Sequence, residues 1–176
     1  MTGSVPDAND RTIVREADLL RSLDREAVRR LVAAYLIRTE LEKAEHAIDG
    51  ASEQILPARY QRELDDPASA YARSTVYLAQ IDDVPVGVAV LQRNETGREL
   101  KRVWVDPGAR GRRVGSALMK AALAQSDLPV RLTVWEWRHD AIGLYRAYGF
   151  LVVPSWERRP GLVCMERPAT PSSVRG

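Results

Sequence analysis

The sequence predicts a single α/β domain, and three observations carry this prediction. The chain has 176 residues, the size of one ordinary domain with its own hydrophobic core. Hydrophobic residues make up 45% and charged residues 28%, both close to globular averages. Apolar spacing of helical type alternates with short apolar segments bounded by Gly, Pro and Asp, in the order β-α-α-β-β-β-α-β-α-β-β.

The first half of the chain is predicted to be mainly helical. A strand over 12–17 leads to Asp18, an N-cap residue, and to apolar residues at helical spacing up to Val32. A second helix is predicted over 38–49, ending at a glycine, and a third, interrupted by a proline, over 53–64. A strand followed by helices therefore precedes the main run of strands.

The second half alternates strands with two short helices. An Asp-Asp-Val-Pro sequence predicts a hairpin turn between the first two strands of this half. Strands are predicted over 75–81, 86–93, 99–105, 130–135, 150–153 and 162–165, and helices over 114–125 and 141–147. No internal repeat or linker is visible, so all these elements are assigned to one domain over 12–167, with flexible tails over 1–11 and 168–176.

Composition excludes several classes of protein. The longest apolar runs are far shorter than the roughly 20 residues that cross a bilayer, so no membrane span is expected. A single cysteine, Cys164, excludes an internal disulfide and a cysteine-cluster metal site, and no metal-ligand spacing occurs. The first ten residues lack the basic and apolar regions of a secretory signal. We therefore expect a soluble cytoplasmic protein with neither a membrane partner nor a bound metal.

The clearest chemical signal lies where a strand runs into a helix, over 103–118. The strand ends in Asp-Pro-Gly, and the turn that follows reads Arg110-Gly111-Arg112-Arg113 before an apolar helix. Free N–H groups at a helix start carry partial positive charge, glycine lets an anion approach the backbone, and arginine adds charge. The segment therefore predicts a cradle for a diphosphate, with a spacing unlike that of dinucleotide folds or P-loops.

This segment resembles the acetyl-CoA-binding motif of the GNAT N-acetyltransferase superfamily. The matching residues are Val103, Val105, Pro107, Arg110, Gly111 and Gly115. Arg113 stands where the family usually has glycine, and a side chain there disfavours the positive φ expected of the loop. A shifted register on Arg112, Gly115 and Ala117 also fits the shorter R-x-x-G-x-A form.

A second segment, over 138–150, resembles the other landmark of that superfamily. Its matching residues are Ala141, Leu144, Tyr145, Gly149 and Phe150, while Arg138 replaces the usual asparagine. The resemblance implies one domain with a central mixed, mostly antiparallel sheet of about seven strands and helices on both faces. It also implies direct transfer of an acetyl group from acetyl-CoA to a primary amine of a small molecule or a protein.

The resemblance assigns roles to individual residues. Tyr145 matches the position of the acid that protonates the leaving thiolate, Glu99 is the first candidate for the base, and Glu136 is the second. The residues expected to bind acetyl-CoA are Val103, Trp104, Val105, Arg110, Gly111, Arg112, Arg113, Val114, Gly115, Ser116 and Tyr145.

The acceptor side is expected to involve acidic and aromatic residues. Glu42, Glu45, Asp49 and Glu53 share one helical face if the helix continues, and a solvated surface face is the alternative interpretation. Trp104, Trp135 and Trp137 lie in or beside the strands that flank the expected cleft, where they can contact an ammonium or simply pack. Of these residues, Glu42, Glu45, Trp104 and Trp135 are the predicted acceptor-binding set.

One other function remains as an alternative. Because Arg113 and Arg138 depart from the pattern, the chain could be a catalytically idle acyl-CoA-binding sensor or assembly module. A nucleic-acid partner is not expected, because the net charge is only +2 and no zinc spacing or RNA-binding strand motif occurs. A monomer and a homodimer are both compatible with the sequence.

Overall fold

The computed structural model describes residues 11–48, 56–124 and 126–169. The strands are β1 (Ile13–Glu16), β2 (Ser74–Ile81), β3 (Val84–Arg93), β4 (Arg98–Val105), β5 (Val130–Trp135), β6 (Leu151–Val152) and β7 (Leu162–Arg167). The helices are α1 (Ser22–Glu45), α2 (Ala58–Asp65), α3 (Pro67–Ala70), α4 (Val114–Leu123) and α5 (His139–Ala147), with a 3-10 turn over Pro107–Ala109.

The seven strands form one mixed sheet in the order β1-β2-β3-β4-β5-β7-β6. Every neighbouring pair is antiparallel except β4 and β5. Within the described residues, these two parallel strands pair only where they begin, at Arg98 with Val130 and Glu99 with Arg131. The rest of the β4 edge that faces β5 therefore keeps its backbone groups unpaired with that strand.

Alternating side chains give the sheet two hydrophobic faces. Leu118 and Phe150 belong to the core formed with α4 and α5, whereas Leu31 and Leu36 belong to the core formed with α1. Helices thus cover both faces. The predicted fold class, a mixed sheet of seven strands in a single domain, is confirmed.

The predicted hairpin turn is present and shorter than expected. Asp82 and Asp83 have φ values of 50° and 62°, and β3 begins at the next residue. A two-residue turn with positive φ at both positions matches the twist of the flanking strands, and Asp tolerates this conformation better than most residues.

The prediction of two helices over 18–32 and 38–49 is wrong. One helix, α1, runs for 24 residues and starts after Arg21, while Asp18 instead accepts a hydrogen bond from the backbone of Leu20. No Gly or Pro interrupts the sequence from Ser22 to Glu45, and the buried stripe continues through Leu36 to Thr39. The expected end at 49 is also wrong, because α1 ends at Glu45.

The remaining boundaries differ by a few residues. β7 extends to Arg167 and β6 is shorter than predicted, while α2 starts directly after Pro57. The short helix α3 was not predicted, although Asp66 followed by Pro67 is a helix-start signal. The limits of the domain and the flexibility of its tails stay predictions, because residues 1–10 and 170–176 lie outside the described part. No helix in that part is both long and apolar enough to cross a membrane.

A buried carboxylate joins β1 to the start of α1. Asp24 is 4% exposed and accepts two hydrogen bonds of 2.7 Å from the Arg15 guanidinium, together with one of 2.8 Å from the backbone N–H of Asp18. These contacts with Arg15 outweigh burial and lower the pKa of Asp24 to about 2. The ion pair therefore stabilises the fold only while Asp24 is ionised.

Asp24→Asn should reduce the acid sensitivity of the fold. Because the folded pKa lies below the unfolded value of about 3.9, the stabilisation is complete above that value and is lost as pH falls towards 2. With allowance for the partly exposed Arg15, we expect the variant to lose about 1–2 kcal/mol at pH 6 and much less at pH 2.5. Urea unfolding at both pH values measures this difference. The control, Glu26→Gln, alters an exposed carboxylate on the same helix; equal losses at both pH values for Asp24→Asn would contradict the assignment.

Candidate active site

Strand β4, whose edge towards β5 is mostly unpaired, carries a β-bulge. Lys101 pairs with Val90 and Trp104 with Val88, so Arg102 and Val103 together lie opposite the single residue between those two partners. Arg102 has a φ of 54°, a backbone conformation that costs a residue with a side chain about 1 kcal/mol. The bulge therefore bends β4 where its edge separates from β5.

Arg102 forms an ion pair that the sequence analysis missed. Its guanidinium donates two hydrogen bonds to Glu63 of α2, and Tyr71 donates a third to the same carboxylate at 2.6 Å. Burial acts to raise the pKa of Glu63, but hydrogen bonds and the charge of Arg102 outweigh it, so this pKa lies below its usual value. Glu63 is therefore an ionised anchor between α2 and the bulge.

The turn before α4 is the segment in which the sequence predicts an anion cradle. Gly111 has a φ of 80°, and a Cβ atom added there would meet no atom within 4 Å. Arg110, Arg112 and Arg113 have exposed side chains, and α4 begins directly after them. Within the described part of the chain, the Arg113 side chain does not cap the helix, so the N–H groups of the first turn are oriented for an anion.

A hydrogen-bonded aspartate fixes the start of this turn. Asp106 accepts from the indole N–H of Trp104 at 3.0 Å and from Arg30 of α1 at 2.8 Å, and its backbone N–H donates to Val86. Arg110 lies over the Trp104 ring, with Cζ 5.1 Å from the centroid. Trp104 was expected at both the acetyl-CoA site and the acceptor site. Its side chain packs in the core on the α1 face of the sheet, beneath the Arg110 guanidinium.

The packing of α4 against α5 explains why position 115 is a glycine. A Cβ atom at this position would lie 3.2 Å from Cδ2 of Leu144, so glycine lets α4 and α5 approach closely. Tyr148, the residue directly after α5, also donates a hydrogen bond of 2.9 Å to the Ser116 carbonyl. The cradle and the helix that carries Tyr145 are therefore rigidly joined.

Tyr145 is a buried phenol on α5. It belongs to the core of α4 and α5, is 8% exposed, and has its ring 5.9 Å from that of Phe150. Burial and the neighbouring Tyr35 of α1 raise the pKa of Tyr145 above its ordinary value, and Arg138 opposes this rise. Tyr145 is therefore protonated at neutral pH and able to donate a proton.

The predicted acidic surface is already neutralised in the structure. Arg138 donates to Glu42 at 2.7 Å, Trp137 donates to the same carboxylate at 3.1 Å, and Arg38 contacts both Glu42 and Glu45. Burial acts to raise the pKa of Glu42, but the contacts led by Arg138 lower it overall. Asp49 and Glu53, the other two members of this expected surface, lie outside the described residues.

The tryptophans of the acceptor side form a stack. The Trp137 ring lies 3.9 Å from His46 on one side and 4.8 Å from Trp135 on the other. Trp135 is 5% exposed, and Gly161 packs against both indoles. Trp135 and Trp137 therefore pack against their neighbours, which favours a packing role for them over direct contact with an ammonium group.

The structure positions the two candidate bases differently. Glu99 is half-buried at the start of β4, opposite Arg131, whereas Glu136 is exposed just after β5. Neither carboxylate forms a hydrogen bond or ion pair with Tyr145 in the described residues. Among those residues, no group of three or more His, Cys, Asp or Glu side chains is placed to hold a metal ion.

Comparison with known proteins identifies the family. The model of the Acetyltransferase (GNAT) family matches residues 32–150, more than half of the chain. The chain belongs to this family. It is thus a transferase, and the family resemblance drawn from the two sequence motifs is confirmed.

Individual relatives are more distant. The chain is 29% identical over 104 residues to the peptidyl-lysine N-acetyltransferase YjaB of Escherichia coli K12, which covers 58% of this chain and 67% of that protein. The fold resembles a PaiA N-acetyltransferase of Thermoplasma acidophilum in complex with coenzyme A (TM-score 0.66, 19% identity, 90% of this chain and 99% of that one). It also resembles a GNAT acetyltransferase of Staphylococcus aureus Mu50 (TM-score 0.65, 16% identity, 89% and 98%).

Arg113→Gly should stabilise the protein. Arg113 has a φ of 60° at the N-cap of α4, in the left-handed region that glycine adopts without strain. We expect a gain of about 1 kcal/mol in the free energy of unfolding, measured with urea. Arg113→Ala is the matched control because it removes the guanidinium but keeps the Cβ atom. Equal stability of the Gly and Ala variants would contradict strain at this position.

Proposed function

We propose that this acetyltransferase moves an acetyl group from acetyl-CoA directly to a primary amine of a small molecule or a protein. The observation that carries the proposal is the buried Tyr145 phenol, which interacts electrostatically with Tyr35 of α1 and lies on a helix joined to the predicted cradle by the Tyr148–Ser116 hydrogen bond. The peptidyl-lysine activity named for one relative and the coenzyme A complex of one structural neighbour support it.

Acetyl-CoA, the acetyl donor, suits the residues of the turn before α4 and of the β4 edge that does not pair with β5. Acetyl-CoA supplies an activated thioester, and its diphosphate suits the first turn of α4 with Arg110, Gly111, Arg112 and Arg113. The stretch of β4 from Val103 to Val105, which does not pair with β5, suits the amides of the pantetheine arm. A backbone N–H in the same stretch can polarise the thioester carbonyl.

Tyr145 acts as the general acid in this proposal. The amine nitrogen forms a bond to the carbonyl carbon, the carbon–sulfur bond breaks, and the sulfur takes the phenolic proton. A tyrosine phenol is protonated at neutral pH even without a shift of its pKa, so Tyr145 holds a proton that it can donate to the sulfur. The attacking amine loses its own proton to a base, directly or through water, for which Glu99 is the first candidate and Glu136 the second.

The acceptor is proposed to bind on the α1 side of the sheet. Glu42, Glu45, Trp104 and Trp135 are the residues assigned to this side. Because Glu42 and Glu45 are held by arginines, we infer that they position Arg138 and Arg38 and are not open sites for an ammonium. An acceptor amine therefore meets a surface whose charges are already balanced.

Tyr145→Phe should lower kcat about 100-fold and leave the affinity for CoA nearly unchanged. The reason is that the variant keeps the ring in the core and loses only the proton donor. Thiol release from acetyl-CoA with a panel of amines measures turnover, and calorimetry measures CoA binding. Tyr77→Phe, which removes a buried phenol on β2, is the control. Unchanged kcat in Tyr145→Phe would remove the acid assignment.

Gly111→Asp and Arg110→Ala should each weaken CoA binding at least about tenfold, and change kcat at saturating acetyl-CoA much less. A carboxylate at Gly111 repels the diphosphate and strains the backbone, while Arg110→Ala removes a positive charge. Gly143→Asp is the control because it adds the same charge at an exposed position on α5. Equal affinities by calorimetry would contradict the cradle. Tight CoA binding with no thiol release for any amine would instead indicate an idle binding module.

A further inference from the structure

Arg102 has an unusual backbone conformation for a residue inside a strand. Five described residues other than glycine have positive φ, and four of them lie in turns or next to the ends of helices. Arg102, at a φ of 54°, lies within β4. The left-handed region is disfavoured for a residue with a Cβ atom, and such strain persists only where surrounding contacts hold it. Contacts of the Arg102 side chain are therefore expected to hold the β-bulge.

The Arg102 guanidinium contacts one carboxylate and two aromatic rings. Its Nε donates to Oε2 of Glu63 at 2.8 Å, and its Nη2 donates to Oε1 of the same residue. Its Cζ also lies 5.6 Å from the ring centroid of Tyr35 and 5.5 Å from that of Tyr60. Two parallel hydrogen bonds to one carboxylate fix the orientation of a guanidinium as well as its position. The side chain of the strained residue is thus held against α1 and α2.

Glu63 is itself fixed by a third group. The Tyr71 hydroxyl donates a hydrogen bond of 2.6 Å to Oε2 of Glu63, and Tyr71 is 7% exposed, in the core on the α1 face. The side chains of Arg102 and Glu63 are themselves largely buried, so water and salt screen their attraction less than at the surface. The carboxylate is therefore anchored to the core, and Arg102 is anchored to the carboxylate.

The residues that follow Arg102 depend on the shape of the bulge. A β-bulge bends its strand and changes the direction of the groups next to it. The stretch from Val103 to Val105 comes directly after Arg102 and does not pair with β5. Because a displacement of about 1 Å between reacting groups can lower a rate about 100-fold, a contact that fixes this backbone can affect catalysis without touching a substrate.

We propose that Glu63 is a positioning residue for acetyl transfer: through the Arg102 side chain it holds the strained bulge, and so fixes the β4 backbone from Val103 to Val105 against the thioester. This inference rests on the proposed function, in which that stretch contacts the pantetheine arm and polarises the thioester carbonyl. The turn before α4, which is assigned to the diphosphate, makes no contact with Glu63 among the hydrogen bonds and ion pairs of the described residues. Loss of Glu63 should therefore impair turnover more than CoA binding.

Glu63→Gln should lower kcat about tenfold or more and change the affinity for CoA less than about threefold. Thiol release from acetyl-CoA with a panel of amines measures kcat, calorimetry measures CoA binding, and urea unfolding measures stability. Asp65→Asn is the matched control, because it alters an exposed carboxylate on the same helix. A role in stability alone would lower the urea midpoint and leave kcat of the folded protein unaltered.

A second substitution separates the backbone conformation from the charge. In the Glu63→Gln background, Arg102→Gly should raise kcat at least about threefold, because glycine adopts positive φ without a side chain to hold it there. Arg102→Ala in the same background removes the same guanidinium but keeps the Cβ atom, so no recovery is expected. Equal recovery in both double variants would reject the proposal, because the loss of kcat would then come from an uncompensated buried charge.

Amide hydrogen exchange over 102–105, measured without acetyl-CoA or an amine, tests the hold on the bulge independently of turnover. Exchange in Glu63→Gln should be about tenfold or more faster than in the unmodified protein and in Asp65→Asn. If exchange and kcat in Glu63→Gln both equal those of Asp65→Asn, the role of Glu63 is rejected and the proposed function stands. If the unmodified protein releases no thiol, the proposed function fails, and the positioning role in acetyl transfer fails with it.

A variant that does not fold leaves a second comparison. If Glu63→Gln is unfolded, Arg102→Gly and Arg102→Ala in the otherwise unmodified protein replace it. The glycine variant should then keep slow exchange over 102–105, and the alanine variant should exchange faster, because only glycine adopts this φ without strain. Equal exchange in these two variants would overturn the proposal.

Discussion

The short pairing between β4 and β5 is the constraint on which the rest of the structure depends. Two parallel residue pairs hold the strands together at one end, and the β-bulge at Arg102 bends β4 beyond them. A fully paired sheet would satisfy the backbone of β4 and leave no edge for a ligand with amide groups. The partial pairing leaves that edge open between two hydrophobic cores, with Tyr145 of α5 in one core and Tyr35 of α1 packed against the other. The fold thereby gives up some sheet hydrogen bonds and gains a cleft.

Electrostatics around the cleft is organised by arginines that are held in pairs. Arg102 binds Glu63 and Arg138 binds Glu42, and both guanidinium groups also lie within 6 Å of the Tyr35 ring. Burial alone would raise the pKa of both carboxylates, but the contacts led by the arginines lower it below its ordinary value. Such pairs add little to stability in net terms, because desolvation offsets attraction, yet removing one partner leaves an uncompensated charge. Their effect is to fix the positions of α1, α2 and α5 relative to the bulge.

The sequence predicted what depends on neighbouring residues and missed what depends on distant ones. Strand β5, the hairpin turn and the glycine-arginine turn follow from local periodicity and turn chemistry, so their positions were predictable. The single long α1 was not predicted, although neither Gly nor Pro interrupts its sequence. The pair Arg138–Glu42 joins residues 96 positions apart, and no local pattern in the sequence indicates it. The spacing predicted acidic side chains free to bind a cation, whereas tertiary contacts pair Glu42 and Glu45 with arginines.

Two positions of the cradle adopt positive φ, and only one is glycine. Gly111 has open space around it, which matches a site where a large anion approaches the backbone. Arg113 adopts the same region at a cost of about 1 kcal/mol, yet it stands at the N-terminus of α4 with its guanidinium exposed. A cation at a helix N-terminus is also unfavourable by itself, so the residue is destabilising twice over. Under the proposed function, a diphosphate at this turn pairs with the Arg113 guanidinium and with the N-terminus of α4, so it offsets the charge repulsion but not the backbone strain. The departure from glycine at Arg113 therefore carries a cost in the unliganded turn that an anion reduces only in part.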